Sequence, residues 1–505
     1  MIIGQHFESK DRNVIPQKQD NDNEWSSYGF SRDLSRIVFS KTFRRLGGKT
    51  QVFPVEMNEH AMNRMTHTLV VNNIAMDIAT RLNKDTDYEI NIDLIQAIAN
   101  GHDVGHTPFG HTGERRLSKI CSGEEYEMNS LKKFKHNAFS VDILQNLDRI
   151  NDLQRGYDLA WQTIDGILKH TELPDLGEDN YRKILNNNFL ISDTLSKNIK
   201  TIDSSYTKYI DYPYPLTIEG QIVKAADEIA QNYHDMLDWS RVISHRRFVE
   251  CIDSIKMDDI IKTNMKYKRT HVSKFISLFF EDGGALKKNK IDDRYNRDFF
   301  AWGIKELMVN DIVLAIQERA TDNSVIYFDS TNKNRRLIKN LLFETEDGKV
   351  KIRFFDECVK IVSKNITDFG RNLISSKEIN KYDEKGNDYI DKAFEFLIND
   401  KNAFIYHCRG TILTVFASTS GSKNPLSIKE NETLYEYRSY QEIKDNINYI
   451  SGALFDCVKE NKNNIIFNTN SQKSITDLFY SSVIKCLARM TDKFIKELPN
   501  KKWKI

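Results

Sequence analysis

Over long stretches of this chain the apolar positions recur at the three- and four-residue steps of an α-helix. Val71, Ile74, Ile78 and Leu82 form one stripe, Ile95, Ile98 and Ala99 a second, and Ile222, Ala226 and Ile229 a third; each predicts a helix with one buried face. The periodicity runs from about residue 31 to 245 and resumes from 246 to about 320. Two polar stretches, about 121–133 and 174–211, interrupt it and read as surface insertions, since they lack sustained periodicity and are rich in Asn, Asp, Ser and Lys. Between 323 and 430 the pattern changes. There Val325-Ile326-Tyr327-Phe328, Val350-Lys351-Ile352-Arg353-Phe354 and Thr411-Ile412-Leu413-Thr414-Val415-Phe416 carry the β-branched and aromatic content of strands. Helical steps return from roughly 440 to 495. The expected fold class is mostly α. Its parts are a polar arm over 1–27, a helical core over 28–245, a helical extension over 246–322, a mixed α/β lobe over 323–430 and a C-terminal helical segment over 431–505.

Composition narrows the class. Hydrophobic residues make up 40% of the 505 positions, enough to bury a sizeable core. Lys and Arg number 73 against 72 Asp and Glu, so the chain as a whole is not built to coat a polyanion, and any site for one must be local. One basic cluster, Lys262, Lys266, Lys268, Arg269 and Lys274, reads as a solvated helix face in preference to a nucleic-acid patch. The six cysteines form no CxxC pair, which argues against a disulfide framework or a zinc ribbon and for reduced thiols. Met1-Ile2-Ile3 is too short for a signal h-region, and no later apolar run approaches a membrane span. A cytoplasmic enzyme without a membrane partner is the expectation.

Chemistry concentrates where polar groups fall on the buried stripes. His102 lies at i+7 from Ile95 and i+4 from Ile98, on the apolar face of its helix. His67 precedes Val71 by four residues, and Asp227 follows Val223 by four. An unpaired polar group on such a face is costly, so each needs a partner. Any one alone is more often a satisfied core residue. Three such groups from three helices, with Asp103 beside His102, make two imidazoles and two carboxylates, a mixed N/O set that suits Mn, Fe, Co, Ni, Zn or Mg. Five of the twelve histidines fall between residues 60 and 111, and the run from His102 to Glu114 packs in three of them with two carboxylates. Pro108 and Gly110 end the helix after His106 and turn the chain, so that His111 and Glu114 project back toward the same place.

The ordered pattern of a His, then His-Asp, then a distant Asp resembles the HD superfamily, and the chain is similar in more detail to the deoxyguanosine triphosphate triphosphohydrolase family. The resemblance covers about 28 to 245. It is carried by Arg32-Asp33 through Arg36, Phe43-Arg44-Arg45-Leu46, Lys49-Thr50-Gln51-Val52-Phe53, Arg64-Met65-Thr66-His67-Thr68-Leu69, the His102 to Glu114 run, His136-Asn137-Ala138, and Glu219-Gly220-Gln221 leading to Ala226-Asp227-Glu228-Ile229-Ala230. It implies an HD-type helical core holding one divalent metal (Mn, Mg, Co, Fe or Ni) and hydrolysis of deoxynucleoside triphosphates to deoxynucleoside and inorganic triphosphate. His111 would lie at the α-phosphate, with Glu114 orienting its ring. Arg64 and Lys169 are candidates for phosphate contacts, and His106 for a phosphate contact or a supporting place behind the metal ligands. Gln51 resembles the family residue at the sugar or base, and Asp235 the carboxylate near the 3′-hydroxyl. Homo-oligomers, often hexamers, and responses to a second nucleotide or to single-stranded DNA are further implications.

The sequence also departs from the family. Gln231 stands where many members carry tyrosine, and Lys169 is followed by His170 where they have a Tyr-Pro turn. Asn448-Tyr449-Ile450-Ser451-Gly452 matches a C-terminal element, yet Ala453-Leu454-Phe455 follows in place of the usual Met-Thr-Asp. His234-Asp235 shows how easily a bare His-Asp dipeptide occurs. Two other readings compete: HD chemistry on another nucleotide phosphoester, and a protein that senses nucleotides or binds single strands with catalysis secondary.

Overall fold

A computed structural model of the chain describes residues 29–51, 62–126, 134–148, 156–171, 212–242, 294–320, 325–327, 336–346, 349–374, 377–419, 426–431, 433–460, 464–468 and 474–500. The polar arm, the insertion at 174–211, the basic cluster from Lys262 to Lys274 and the greater part of 121–133 lie outside these residues. The first half is helical: α1 (Gly29–Val38), α2 (Lys41–Arg45), α3 (Arg64–Asp85), α4 (Ile92–Gly101), α5 (Gly110–Cys121), α6 (His136–Asp142), α7 (Trp161–Leu168), α8 (Ile218–Val242) and α9 (Arg294–Arg319). Two antiparallel hairpins follow, β1 (Val325–Tyr327) with β2 (Arg336–Ile338), and β3 (Phe343–Glu346) with β4 (Lys349–Ile352). Next come the long helices α10 (Glu357–Ile374), α11 (Lys377–Asn399) and α12 (Lys401–Thr419). A three-stranded antiparallel sheet of order β6-β5-β7 is built from β5 (Leu426–Glu430), β6 (Thr433–Tyr437) and β7 (Ile465–Asn468). Helices α13 (Tyr440–Asp445), α14 (Ile447–Lys459), α15 (Ile475–Ala488) and α16 (Asp492–Glu497) complete the order.

The helices that carry the site begin where side chains cap them. Asn63 accepts the Thr66 amide at 2.9 Å while the Thr66 hydroxyl accepts the Asn63 amide at 3.1 Å, a reciprocal box that starts α3. Asn91 accepts the Leu94 amide at 3.0 Å and starts α4. Their apolar stripes are then buried as the spacing predicts: Val71, Ile74, Ile78, Leu82, Ile95, Ile98, Ile222, Ala226 and Ile229 are all within 2% of full burial. Helices α3 and α4 pack on each other and both pack on α8. Burying each large aliphatic chain contributes about 1.5–3 kcal/mol.

Two hydrophobic cores form. The first gathers α1, α3, α4, α7, α8, α9 and the β2 to α10 segment. The second is built chiefly from α11, α12, α14, α15 and the three-stranded sheet, and it also takes Phe109, Leu117 and Ile120 from around α5. Helix α6 serves both, giving Ala138 and Val141 to the first and Phe139 to the second.

The strands expected at Val325 and Val350 are present, but the one expected over Thr411–Phe416 is not: that segment lies inside α12. Phe404, Cys408, Ile412 and Phe416 are buried at four-residue steps. The Thr411 and Thr414 hydroxyls donate to the backbone carbonyls of Cys408 and Gly410 at 2.7 and 3.0 Å. Helical burial and local hydroxyl bonding outweigh the β-branched preference. Strand β7 interrupts the stretch expected to be helical. Among the described residues no helix is long and apolar enough to cross a membrane.

Candidate metal centre

The four sequence-predicted ligands come together at one place. His67, in the first turn of α3, His102 and Asp103, directly after α4, and Asp227, on α8, converge where those three helices meet. His67 Nε2 lies 2.9 Å from Asp227 Oδ1. His102 Nε2 lies 3.7 Å from that oxygen and 3.6 Å from Asp103 Oδ1. His67, His102 and Asp103 each offer a donor atom within 4.8 Å of the others, and the same holds for His102, His170 and Asp227. A third such group, Asp103, His106 and His136, shares Asp103 with the first.

The donor chemistry fits a cation. His102 Nδ1 donates to the Ala99 carbonyl at 2.6 Å, which fixes the tautomer and leaves the Nε2 lone pair facing the cluster. That Nε2 is buried and has no hydrogen-bond partner among the described residues. A buried acceptor aimed at two carboxylates requires a positive partner. Burial alone would raise the Asp103 carboxyl, but His102, then Arg64 and His106, hold it well below the usual carboxylate range. Asp227 is lowered too, against its own burial, by the His67 contact and then by His102. Both are the acceptor-only form that a divalent ion takes.

Surrounding residues set the ligands. Arg64 is buried and its guanidinium donates to Asp103 Oδ2 at 2.7 Å, leaving Oδ1 toward the histidines. Its Nε and second terminal nitrogen have no hydrogen-bond partner among the described residues, so donors remain to be used. His234 Nδ1 lies 3.1 Å from His67 Nδ1. His234, in a dipeptide that by itself is weak evidence for a metal motif, thus stands directly behind the candidate ligand His67. The signal was available: His234 follows Asp227 by seven residues, two turns along one face of α8.

His106 is buried, stacks on His136 with ring centroids 3.9 Å apart, and is held well below its usual pKa first by burial and then by Arg64. The chain then turns at Phe109 and Gly110, with φ of 58° and 57°. A side chain at Gly110 would bring its Cβ to 3.1 Å from the Gln51 carbonyl, so glycine is required for conformation and space together. Gly105 is needed for approach: a Cβ there would lie 2.2 Å from the Ser140 amide. Past the turn, His111 has a side chain 61% exposed, and its ring is 5.1 Å from that of His106. His111 Nδ1 lies 3.4 Å from Glu114 Oε2, and Glu114 Oε1 accepts the His136 backbone amide at 3.1 Å and faces His136 Nδ1 at 3.2 Å. Burial opposes ionisation of Glu114, but His136 and then His111 hold its carboxyl well below the usual range.

The remaining candidates form a polar strip and a buried pair. Gln51 donates to Gln231 Oε1 at 3.3 Å, and Gln231 donates to Asp235 Oδ1 at 2.9 Å, so the residue that departs from the family bridges two expected sugar contacts. Lys169 is fully buried beside Asp165, at 2.7 Å, and is not the surface cation its type suggests. Lys49, before Gln51, is buried, bonds the His106 carbonyl and donates to the Ala488 carbonyl at 3.1 Å; burial, then Arg45, lowers its pKa to about 7. Thr50 donates through its hydroxyl to Asp492 Oδ2 at 2.6 Å, while Asp492 Oδ1 accepts the Phe109 amide at 3.0 Å. Sequence reasoning missed Asp492. The Met-Thr-Asp triplet sought after Gly452 stands instead at Met490-Thr491-Asp492. Residues 448–452 lie in α14, where the Tyr449 hydroxyl donates to Glu430 at 2.8 Å.

Comparison with known proteins agrees with this geometry. The HD domain family model matches residues 64–232, a span that contains every ligand candidate. The chain is 32% identical over 338 residues to the deoxyguanosinetriphosphate triphosphohydrolase-like protein of Rickettsia rickettsii (strain Iowa), covering 66% of this chain and 77% of the relative. The proteins of the same description from Rickettsia bellii (strain RML369-C) and Rickettsia prowazekii (strain Madrid E) are 32% and 34% identical over the same shares. With an HD fold, a cluster able to hold a metal ion and relatives at this level, the chain belongs to the deoxyguanosinetriphosphate triphosphohydrolase-like family of the HD superfamily, a family of metal-dependent phosphohydrolases.

Proposed function

We propose that the protein hydrolyses deoxynucleoside triphosphates to the deoxynucleoside and inorganic triphosphate, with His67, His102, Asp103 and Asp227 holding one divalent ion. The observation that carries this reading is the unpartnered Nε2 of His102, buried among two carboxylates and a second imidazole. An ion bound there supplies Lewis acidity to the α-phosphate and lowers the pKa of water. Arg64 keeps one Asp103 oxygen occupied and offers unspent donors to phosphate oxygens. His111 meets a substrate arriving from solvent; Glu114 at its Nδ1 fixes the ring so that Nε2 can take a proton from water or return one to the departing 5′-oxygen. Gln51, Gln231 and Asp235 form the strip proposed to meet the deoxyribose, His106, stacked on His136, is proposed to support the ligands, and Lys169, buried against Asp165, is the further candidate for a phosphate contact. Assembly into a homo-oligomer belongs to the same reading, and sedimentation of the purified protein reports it.

Product chromatography with each of the four deoxynucleoside triphosphates and added Mn or Mg tests the reaction. Triphosphate and deoxynucleoside are expected from the wild type, and His102→Ala is expected to lose about 10³-fold in rate, the equivalent of several kcal/mol of metal assistance. Release of pyrophosphate or orthophosphate instead would sink the proposal and point to another phosphoester reaction.

A further inference from the structure

Helix α7 ends at Leu168, and two residues later His170 enters the same cluster from a fourth direction. The ring is buried. Its Nδ1 donates to the Ile167 carbonyl at 2.7 Å, the arrangement seen at His102 with Ala99, so its Nε2 also carries a lone pair. The His170 carbonyl accepts from Lys224 on α8 at 2.9 Å, which fixes the backbone that presents the ring. The His102 and His170 rings sit 4.9 Å apart, edge to face, closer than the 5.7 Å between His67 and His102. The donor atoms of His102, His170 and Asp227 lie within 4.8 Å of one another. Two atoms on one ion are at most about 4.2 Å apart when each bond is about 2.1 Å, so a small inward movement brings all three to a shared ion.

Among the described residues His170 Nε2 also meets His136. His136 Nε2 faces it at 3.4 Å, while His136 Nδ1 is engaged with the Glu114 carboxylate. In neutral rings two lone pairs therefore confront each other in a buried space, and a cation on the His170 side relieves that contact.

We infer that His170 is a fifth protein donor to the metal, making a centre of three imidazoles and two carboxylates. The inference rests on the metal reading of the preceding section and deepens it. Its chemical consequence is selection: a third imidazole favours Mn, Fe, Co or Ni over Mg, which prefers oxygen ligands and keeps its waters.

Cobalt-loaded wild-type protein provides the test, because imidazole N–H protons on a ligated ring are shifted far outside the normal proton NMR range by the paramagnetic ion. Exchangeable shifted signals from His67, His102 and His170 are expected, and the His170→Ala and His170→Asn variants, checked for fold by circular dichroism, should each lack one. Their cobalt affinity, read by calorimetry, should fall by at least about a hundredfold, the upper end of the loss expected from removing a mere outer partner. Shifted signals from only two rings in the wild type, unchanged in the variants, would overturn the inference while leaving the metal centre standing. No cobalt uptake by the wild type would overturn both. Since the decisive spectrum is that of the unmodified chain, a variant that fails to fold does not remove the test.

Discussion

The two sides of the site are held by different cores. His67, His102, Asp103 and Asp227 stand on helices whose apolar faces fill the first core, whereas His111 and Glu114 ride on α5, whose Leu117 and Ile120 pack into the second. The proposed ligand side is largely closed: His67, His102 and Asp103 are at most 3% exposed, and the Asp227 side chain is 19% exposed. The α5 side is open at His111 and is set by a turn with two consecutive positive φ values. The placement of the proposed ligands is thus fixed by packing, and that of His111 by a turn and the bonds that brace it. Metal capture and proton transfer should therefore fail separately.

The largest expected effect that tests this separation is in His111→Ala. Turnover should fall by about 10²–10⁴, the usual contribution of a positioned acid or base, while calorimetry shows cobalt bound as in the wild type. Loss of the metal together with activity would show that the two sides are not independent. Asp492→Ala should come next. It strips partners from the Phe109 amide and from Thr50, at a cost of about 2 kcal/mol in denaturant unfolding. The same variant should lower kcat and spare the metal; unchanged stability and rate would show that the turn does not depend on this brace. Smallest is the pH dependence carried by Glu114, whose folded carboxyl lies well below the usual carboxylate range. A depressed carboxylate stabilises the fold above its unfolded pKa, and that stabilisation is lost as pH falls through the window below about 4.5. Glu114→Gln should flatten that part of the stability profile, and equal acid slopes in the two proteins would count against the pairing with His136.

What the sequence made legible follows the same division. The ligand helices could be read because burial repeats at helical steps, and a His or Asp interrupting such a stripe announces itself. His67, His102 and Asp227 were visible for that reason. His136 and His170 had no comparable periodic signal of their own: each gains its meaning from a partner distant in sequence, as His170 does from His102 and His136. Gln231 looked like a lost contact, since its value lies in reaching Gln51 across 180 residues of chain while holding Asp235. The strand expectation at Thr411–Phe416 failed through intrinsic preference, which the four-residue burial pattern of α12 overrode. The Met-Thr-Asp triplet was in plain view at 490–492, but its register against Tyr449 was not, because insertions leave no periodic trace.

The brace from Lys49 and Thr50 to Ala488 and Asp492 has a consequence for the order in which the molecule is made. A ribosome releases the proposed ligand set once Asp227 has emerged, yet Asp492, which pins the Phe109 turn, emerges about 265 residues later. At about 5–20 residues per second, tens of seconds separate the two events. A nascent chain can assemble the proposed ligand set early, but the turn that places His111 gains its brace only after Asp492 has emerged.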